Sequence, residues 1–218
     1  ELELSDSPVL GSTLFVVDGN NLAYRAFYAL PPELATKSGE PTNALLGFAN
    51  MLFRLVTDYK PKGVVVTWDK KPAHRLASHE GYKAGRKPMP DILRQQFPHF
   101  ADLVAAFGYP NLSVEGWEAD DVMATLAAKS DALAMKTVVV STDRDAFQLV
   151  TEHVSLMMTP RGVAEVLCYT PERVKARYGL EPLQIPDFIA LKGDSSDNIP
   201  SVPGFGEKTA AEALMRFG

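Results

Sequence analysis

An α/β fold is expected, with a mainly parallel sheet covered by helices on both faces. Three observations predict it. First, residues 13–17, 63–67 and 137–141 are short β-branched runs, nearly free of polar groups, as strands buried on both faces are. Second, segments with helical apolar spacing separate these runs, so strand and helix alternate. Third, each run is followed within two residues by an aspartate: Asp18, Asp69 and Asp143. In a parallel sheet the carboxyl ends of the strands share one edge, and ligands bind there.

Taken in order, residues 13–17 form the first strand, ending at Asp18. Residues 20–30 read as a helix stopped by Pro31-Pro32. Apolar residues at 45, 46, 48, 49, 52, 53 and 56 predict a helix over 43–57, ended by Pro61. Residues 63–67 are the second strand. Residues 70–90 are basic, dotted with Gly and Pro and without a clear period, and read as a long loop or mobile segment of functional use. An amphipathic helix is expected over 91–107, a short strand over 111–114, and a helix over 118–129 with its acids in the first turn. Residues 137–141 form the clearest strand. Residues 154–158 and 163–168 read as short strands, paired as a hairpin around 160–162. Helices over 171–178 and 183–191, an irregular segment over 193–204 and a helix over 206–217 complete the chain.

The 218 residues are enough for a single core with a small appended module. With 46% hydrophobic and 22% charged residues the composition is that of a globular protein. No stretch approaches a membrane span, and the acidic first six residues fit neither a signal nor a transit peptide. The lone Cys168 lies in an apolar run and reads as a packed thiol in a cytoplasmic protein. The net charge of −5 is unevenly spread. Residues 60–94 hold nine Lys/Arg against three acids, a net +6, which leaves the rest at −11. Without nine carboxylates at strand ends or in tight clusters, −5 would become +4.

Those nine are Asp18, Asp69, Glu118, Asp120, Asp121, Asp143, Asp145, Asp194 and Asp197. Singly, each has an ordinary explanation: acids in a first turn complement the helix dipole, and Asp143-Arg-Asp145 could be a cap with charge pairing. Together they repel one another, and gathering them at one edge calls for hard divalent cations, Mg²⁺ or Mn²⁺. Two such ions make a phosphodiester-cleaving centre. In Glu118-Ala-Asp-Asp121 the i, i+3 spacing predicts that Glu118 and Asp121 share a face while Asp120 points elsewhere.

Gly204 and Gly206 allow a tight turn running into a helix whose free N–H groups suit a phosphate; Lys208 adds charge and Thr209 a hydroxyl. Such contacts follow the backbone of a nucleic acid, not its sequence. Competing motifs fail: Glu207 interrupts a P-loop, Thr209 a dinucleotide fingerprint, and His79-Glu80 lacks the second histidine of a zinc protease.

Five ordered motifs resemble those of the bacterial 5′ nucleases: Val16-Val-Asp-Gly-Asn-Asn-Leu-Ala-Tyr-Arg25, Tyr82-Lys-Ala-Gly-Arg86, Trp117-Glu-Ala-Asp-Asp121, Thr142-Asp-Arg-Asp145 and Gly193-Asp-Ser-Ser-Asp-Asn198. That family comprises the 5′-nuclease domain of DNA polymerase I, stand-alone flap endonucleases and phage relatives. The resemblance runs from about residue 13 to the end. It implies a tail over 1–12, a PIN-like nuclease core over 13–170 with a helical arch over 70–90, and a helix–three-turn–helix DNA-binding module over 171–218. It implies two Mg²⁺ or Mn²⁺ ions, the first held by Asp18, Asp69, Glu118 and Asp120 with Asp121 bridging or behind, the second by Asp143, Asp145, Asp194 and Asp197. It further implies that Lys83 and Arg86 act on the phosphate with Asp120 at the metals, that Tyr82 stacks on a base, and that Arg75 meets a phosphate. Gly204, Phe205, Gly206, Glu207, Lys208 and Thr209 would grip duplex DNA. A K⁺ ion is implied on backbone oxygens around Leu191, Lys192, Pro200, Val202 and Phe205. The partner is DNA with 5′ flaps, nicks or 5′ ends, with a link to a DNA polymerase. Asn20-Asn21 departs from members that carry histidines there. Because the chain stops inside its last helix, an excised domain or a short missing C-terminus is expected. A PIN-type ribonuclease, a non-catalytic branched-DNA-binding module and a binder of small phosphorylated ligands remain alternatives.

Overall fold

The computed structural model describes residues 13–159 and 166–218. The expected N-terminal tail, the 160–162 turn and the start of the following strand lie outside the described residues.

Six described strands form one sheet in the order β3-β2-β1-β4-β5-β6. They are β1 (Leu14–Asp18), β2 (Gly63–Thr67), β3 (Asn111–Leu112), β4 (Thr137–Val140), β5 (Val154–Met158) and β6 (Leu167–Tyr169). β1 to β5 run parallel; β6 is antiparallel to β5. Register places Asp18 opposite Thr67 and Val17 opposite Val140, so the three acid-bearing turns leave the sheet at one level.

Alternating side chains on each strand feed two cores. Phe15, Val17, Val64, Val66, Val138 and Val140 face α1 (Gly19–Ala29), α2 (Asn43–Tyr59), α4 (Asp91–Gln96) and α5 (Phe100–Ala106). Val16, Val65, Val139 and Leu156 face Met123 and Ala127 of α6 (Ala119–Ala132), Phe147, Val174 of α7 (Pro171–Tyr178) and Ile185 of α8 (Ile185–Lys192). A smaller cluster, Leu180, Phe188 and Ala210, joins α8 to α9 (Glu207–Phe217). α7 and α8 thus both pack on the main core, and α9 is tied to it through α8. Cys168 is buried in β6, and burial pushes its thiol up to about 11, as a packed thiol requires.

Three expectations are corrected. Residues 70–90 are not a plain loop: α3 (Ala73–Ser78) starts after Pro72 and is followed by turns over 80–85. None of its residues is buried, so no apolar period could announce it. The helix over 91–107 is broken: α4 and α5 are separated by a 3₁₀ turn, Phe97–His99, at Pro98, which has no N–H to continue an α-helix. The strand expected over 111–114 shortens to Asn111–Leu112. Among the described residues no helix is long and apolar enough to cross a membrane.

Candidate metal centre and nucleic-acid interface

The end of β1 builds the site from the chain outward. Asp18 is 6% exposed, and its Oδ1 accepts the N–H of Asn21 (2.9 Å), capping α1. Its other oxygen accepts from Ser141 Oγ (2.9 Å) at the end of β4. The turn admits only glycine next: a Cβ on Gly19 would lie 2.7 Å from the Thr67 carbonyl and the Trp68 ring. Asp69 leaves β2 and accepts the N–H of Ala119 (2.8 Å), joining it to the start of α6. Asp143 is held through its N–H to Ser141 Oγ (3.1 Å) and accepts from the N–H of Asp145 (3.0 Å).

Asp18, Asp69, Asp120 and Asp143 line one cavity of about 550 Å³. Burial, reinforced by Asp18, Asp143 and Asp69, pushes the Asp120 carboxyl up to about 8. Burial pushes Asp18 up to about 6 against the bonds from Asn21 and Ser141, and raises Asp69 as well. Asp145 is pushed up to about 6 by burial and by Asp143, Asp194 and Asp197. Asp143 therefore sits electrostatically between two acidic groups. Carboxylates whose ionisation is opposed by burial and by one another are the donor set a hard divalent ion fits. Among the described residues no three acids yet converge closely enough to cage an ion.

Part of the reason lies at Glu118. It is the N-cap of α6 with extended backbone (φ −87°, ψ 164°), and it is paired with Asp121 three residues on. The expected pairing holds: Glu118 and Asp121 share a face, since Arg75 Nη1 reaches both (3.0 and 2.6 Å), while Asp120 points elsewhere, into the acidic cavity. Asp121 accepts from the Glu118 N–H (3.0 Å) and is gripped by both amino groups of Arg75 (2.6 and 2.7 Å). Burial would raise Asp121, but Arg75 outweighs it and holds the carboxyl below its ordinary value. Glu118 accepts from Arg75 (3.0 Å), the Tyr82 hydroxyl (2.8 Å) and Lys83 Nζ (2.6 Å). Tyr82, expected to stack on a base, is occupied here, with Lys83 Nζ 5.0 Å from its ring centre.

The basic loop also docks on the C-terminal segment. The Lys83 N–H donates to the Asp197 carbonyl (3.1 Å), Arg86 donates to Asp197 Oδ1 (2.6 Å), and Asn198 Nδ2 donates to the Gly81 carbonyl (2.8 Å). The Asp194 backbone exchanges two hydrogen bonds with Ile199, and its side chain accepts the Ser196 N–H (2.7 Å). Burial opposes but the Ser196 bonds prevail, and Asp194 lies below its ordinary value. Gly193 allows this turn: its φ is +73°, and a Cβ would meet the Ser201 nitrogen at 2.5 Å.

Farther out, Gly206 caps α9, and Thr209 Oγ1 accepts the Gly206 N–H (2.8 Å). The Thr209 hydroxyl, expected to meet DNA, thus holds the turn. Gly204 has φ +86° with open space beyond, and Phe205 packs on the small cluster. Glu207 and Lys208 are exposed in the first turn of α9. Around the expected monovalent site, the Val202 N–H donates to the Leu191 carbonyl (2.9 Å), the Phe205 N–H to the Val202 carbonyl (2.9 Å), and Lys192 Nζ to the Gly193 carbonyl (3.1 Å). Pro200 lies on the same loop, beside the Ile199 bridge. Reading the sequence missed Asn20, Asn21, Tyr24 and Lys87, which line the acidic cavity. The signal for the first two was their place in the first turn after Asp18.

Residues 13–179 match the family model of the 5′-3′ exonuclease N-terminal resolvase-like domain, and residues 180–218 that of the 5′-3′ exonuclease C-terminal SAM fold. A 5′-3′ exonuclease of Aquifex aeolicus is 43% identical over 208 residues, covering 94% of this chain and 70% of that protein. DNA polymerase I of Mycobacterium tuberculosis is 44% identical over 208 residues, and the chain spans 23% of its length. Among solved structures, a bacteriophage T5 flap endonuclease in a complex with DNA and metal ions superposes with a TM-score of 0.74 at 25% identity, covering 94% of this chain and 75% of that one. Flap endonuclease-1 of Methanococcus jannaschii, at 18% identity, shares the fold with a TM-score of 0.60 over 94% of this chain and 71% of that one. With both family models matched end to end and a relative at this identity over most of its length, the chain belongs to the 5′-3′ exonuclease family.

Proposed function

We propose that this chain hydrolyses DNA phosphodiesters at 5′ flaps, nicks and 5′ ends, as flap endonuclease and 5′-3′ exonuclease, with two Mg²⁺ or Mn²⁺ ions. The observation that carries the reading is one cavity lined by the raised carboxylates Asp18, Asp69 and Asp120 together with Lys83 and Arg86 from a separate loop. Asp18, Asp69, Glu118 and Asp120 are the residues for the first ion, and Asp143, Asp145, Asp194 and Asp197 for the second. Bound there, such ions supply a water of lowered pKa and charge for the leaving oxygen. Asp121 holds the N-terminus of α6 and Arg75.

The chain's own residues do the rest. Lys83 and Arg86 now neutralise Glu118 and Asp197. Once those carboxylates have other cations, both side chains are free to stabilise charge on a phosphate. Tyr82, which donates to Glu118 (2.8 Å), would be able to meet a base if that bond opened. Gly204 to Thr209, with Lys208 at the start of α9, suit the backbone of a duplex, and the carbonyls of the 191–205 loop suit a K⁺ ion. The buried acids cannot be reached by an intact stack, so the nucleotide at an end or junction leaves it before cutting. The likeness to bacterial DNA polymerase I supports work in the bacterial cytoplasm, linked to a DNA polymerase.

A 5′-labelled DNA flap, a matched RNA flap and a binding titration in EDTA test the reading together. Metal-dependent cutting of the DNA flap near its junction is expected. Preferential cutting of the RNA flap would mean a ribonuclease, and binding without cutting in either metal a binding module.

A further inference from the structure

The turn from β1 into α1 carries two side chains with no role in the nuclease reading. Asn20 Oδ1 accepts the backbone N–H of Asp69 (2.9 Å). Asn21 Oδ1 accepts the backbone N–H of Thr142 (3.2 Å) and its hydroxyl (2.9 Å). A backbone N–H can only donate, so these bonds fix which end of each amide is oxygen. Both residues line the acidic cavity. With the oxygens committed, each side chain has its amino group left to offer that cavity.

An amino group is of no use to a metal ion, because an amide nitrogen is a donor only. The acids on this wall, Asp18, Asp69, Asp120 and Asp143, offer acceptors when ionised. The cations Lys83 and Arg86 reach the cavity from the separate 79–86 loop. Two neutral donors among acceptors suit an anionic oxygen that must come close to carboxylates. Both lie in the first turn of the 11-residue α1, whose N-terminal field favours the same charge. We infer that the amino groups of Asn20 and Asn21 bind a non-bridging oxygen of the scissile phosphate, alongside Lys83 and Arg86. The inference rests on the nuclease reading.

Each asparagine is replaced by aspartate, which keeps the acceptor and loses the donor, and by histidine, whose neutral ring offers an acceptor at one nitrogen and a donor at the other. Mn²⁺ binding without DNA is measured by calorimetry, and flap cutting under single turnover. The expected result is that Asn20→Asp and Asn21→Asp bind Mn²⁺ at least as tightly as the parent protein but cut about 100- to 1000-fold more slowly, the cost of one lost transition-state donor. Asn20→His and Asn21→His should regain most of that loss. The inference is overturned if the aspartate variants cut at the parent rate, if the histidine variants are as slow as the aspartate ones, or if cutting falls in step with Mn²⁺ affinity, which would make both residues mere supports of the acids. A parent protein that cuts in no metal would instead sink the nuclease reading itself.

Discussion

Asp120→Asn should stabilise the metal-free protein, and more so as the pH rises. The Asp120 carboxyl is pushed from 3.8 to about 8, chiefly by burial and then by Asp18, Asp143 and Asp69. Its folded pKa lies above its unfolded one, so its contribution is fully present below about pH 4 and is lost as the pH rises through 8. Between those limits folding takes up one proton, and stability falls by about 1.4 kcal/mol per pH unit. From pH 5 to 8 the ceiling is about 4 kcal/mol; the group is partly exposed, and solvent screening brings the expectation to about 2 kcal/mol. Asparagine has the same shape and no charge, so the variant lacks this slope. Other titrating groups are common to both proteins and largely drop out of the difference. Asp18 and Asp145, both near 6, have lost their protons by pH 7, which leaves pH 7 to 8 as the window in which Asp120 dominates. The assay is urea unfolding of both proteins in EDTA at pH 5, 7 and 8. An advantage of Asp120→Asn that does not grow with pH would refute the claim that these acids are crowded and short of positive charge.

The other predictions follow from single contacts. Asp143→Asn combined with Asp145→Asn should abolish Mg²⁺-dependent flap cutting, at least 100-fold on a gel, without lowering the unfolding midpoint in EDTA, because it removes mutual repulsion. Gly193→Ala places a Cβ 2.5 Å from the Ser201 nitrogen at φ +73° and should cost about 1–3 kcal/mol by denaturant unfolding. Lys208→Ala should weaken duplex binding alike for all sequences and lower the salt slope of binding by about one, measured by fluorescence anisotropy.

The fold was legible where packing is local in sequence. Residues 63–67 and 137–140 are so uniformly β-branched that no other element fits them, and Pro171 followed by Gly179 marks both ends of α7. Helix breaks were less legible, since Pro98 interrupts an otherwise continuous apolar period. The acids themselves could be read from their places after strands. At α6 the pairing of Glu118 with Asp121 away from Asp120 was legible from the i, i+3 spacing, but not that Arg75 ties the pair down while Asp120 lines the cavity. Contacts between distant segments left no local trace. Gln96 caps the N-terminus of α2 by accepting from the N–H groups of Ala44 and Leu45, 52 and 51 residues away. The docking of Lys83 and Arg86 on Glu118 and Asp197 spans 35 and 111 residues, so a basic loop that looked free is pinned on the acids.

The central claim is that these carboxylates assemble a metal-dependent centre for cutting DNA. The most direct test is a 5′-labelled flap duplex incubated with the protein, with and without Mn²⁺, and the products sized on a gel. The account predicts Mn²⁺-dependent cutting close to the junction, leaving 5′-phosphate and 3′-hydroxyl ends; tight binding of the flap with no cutting in Mn²⁺ or Mg²⁺ would contradict it.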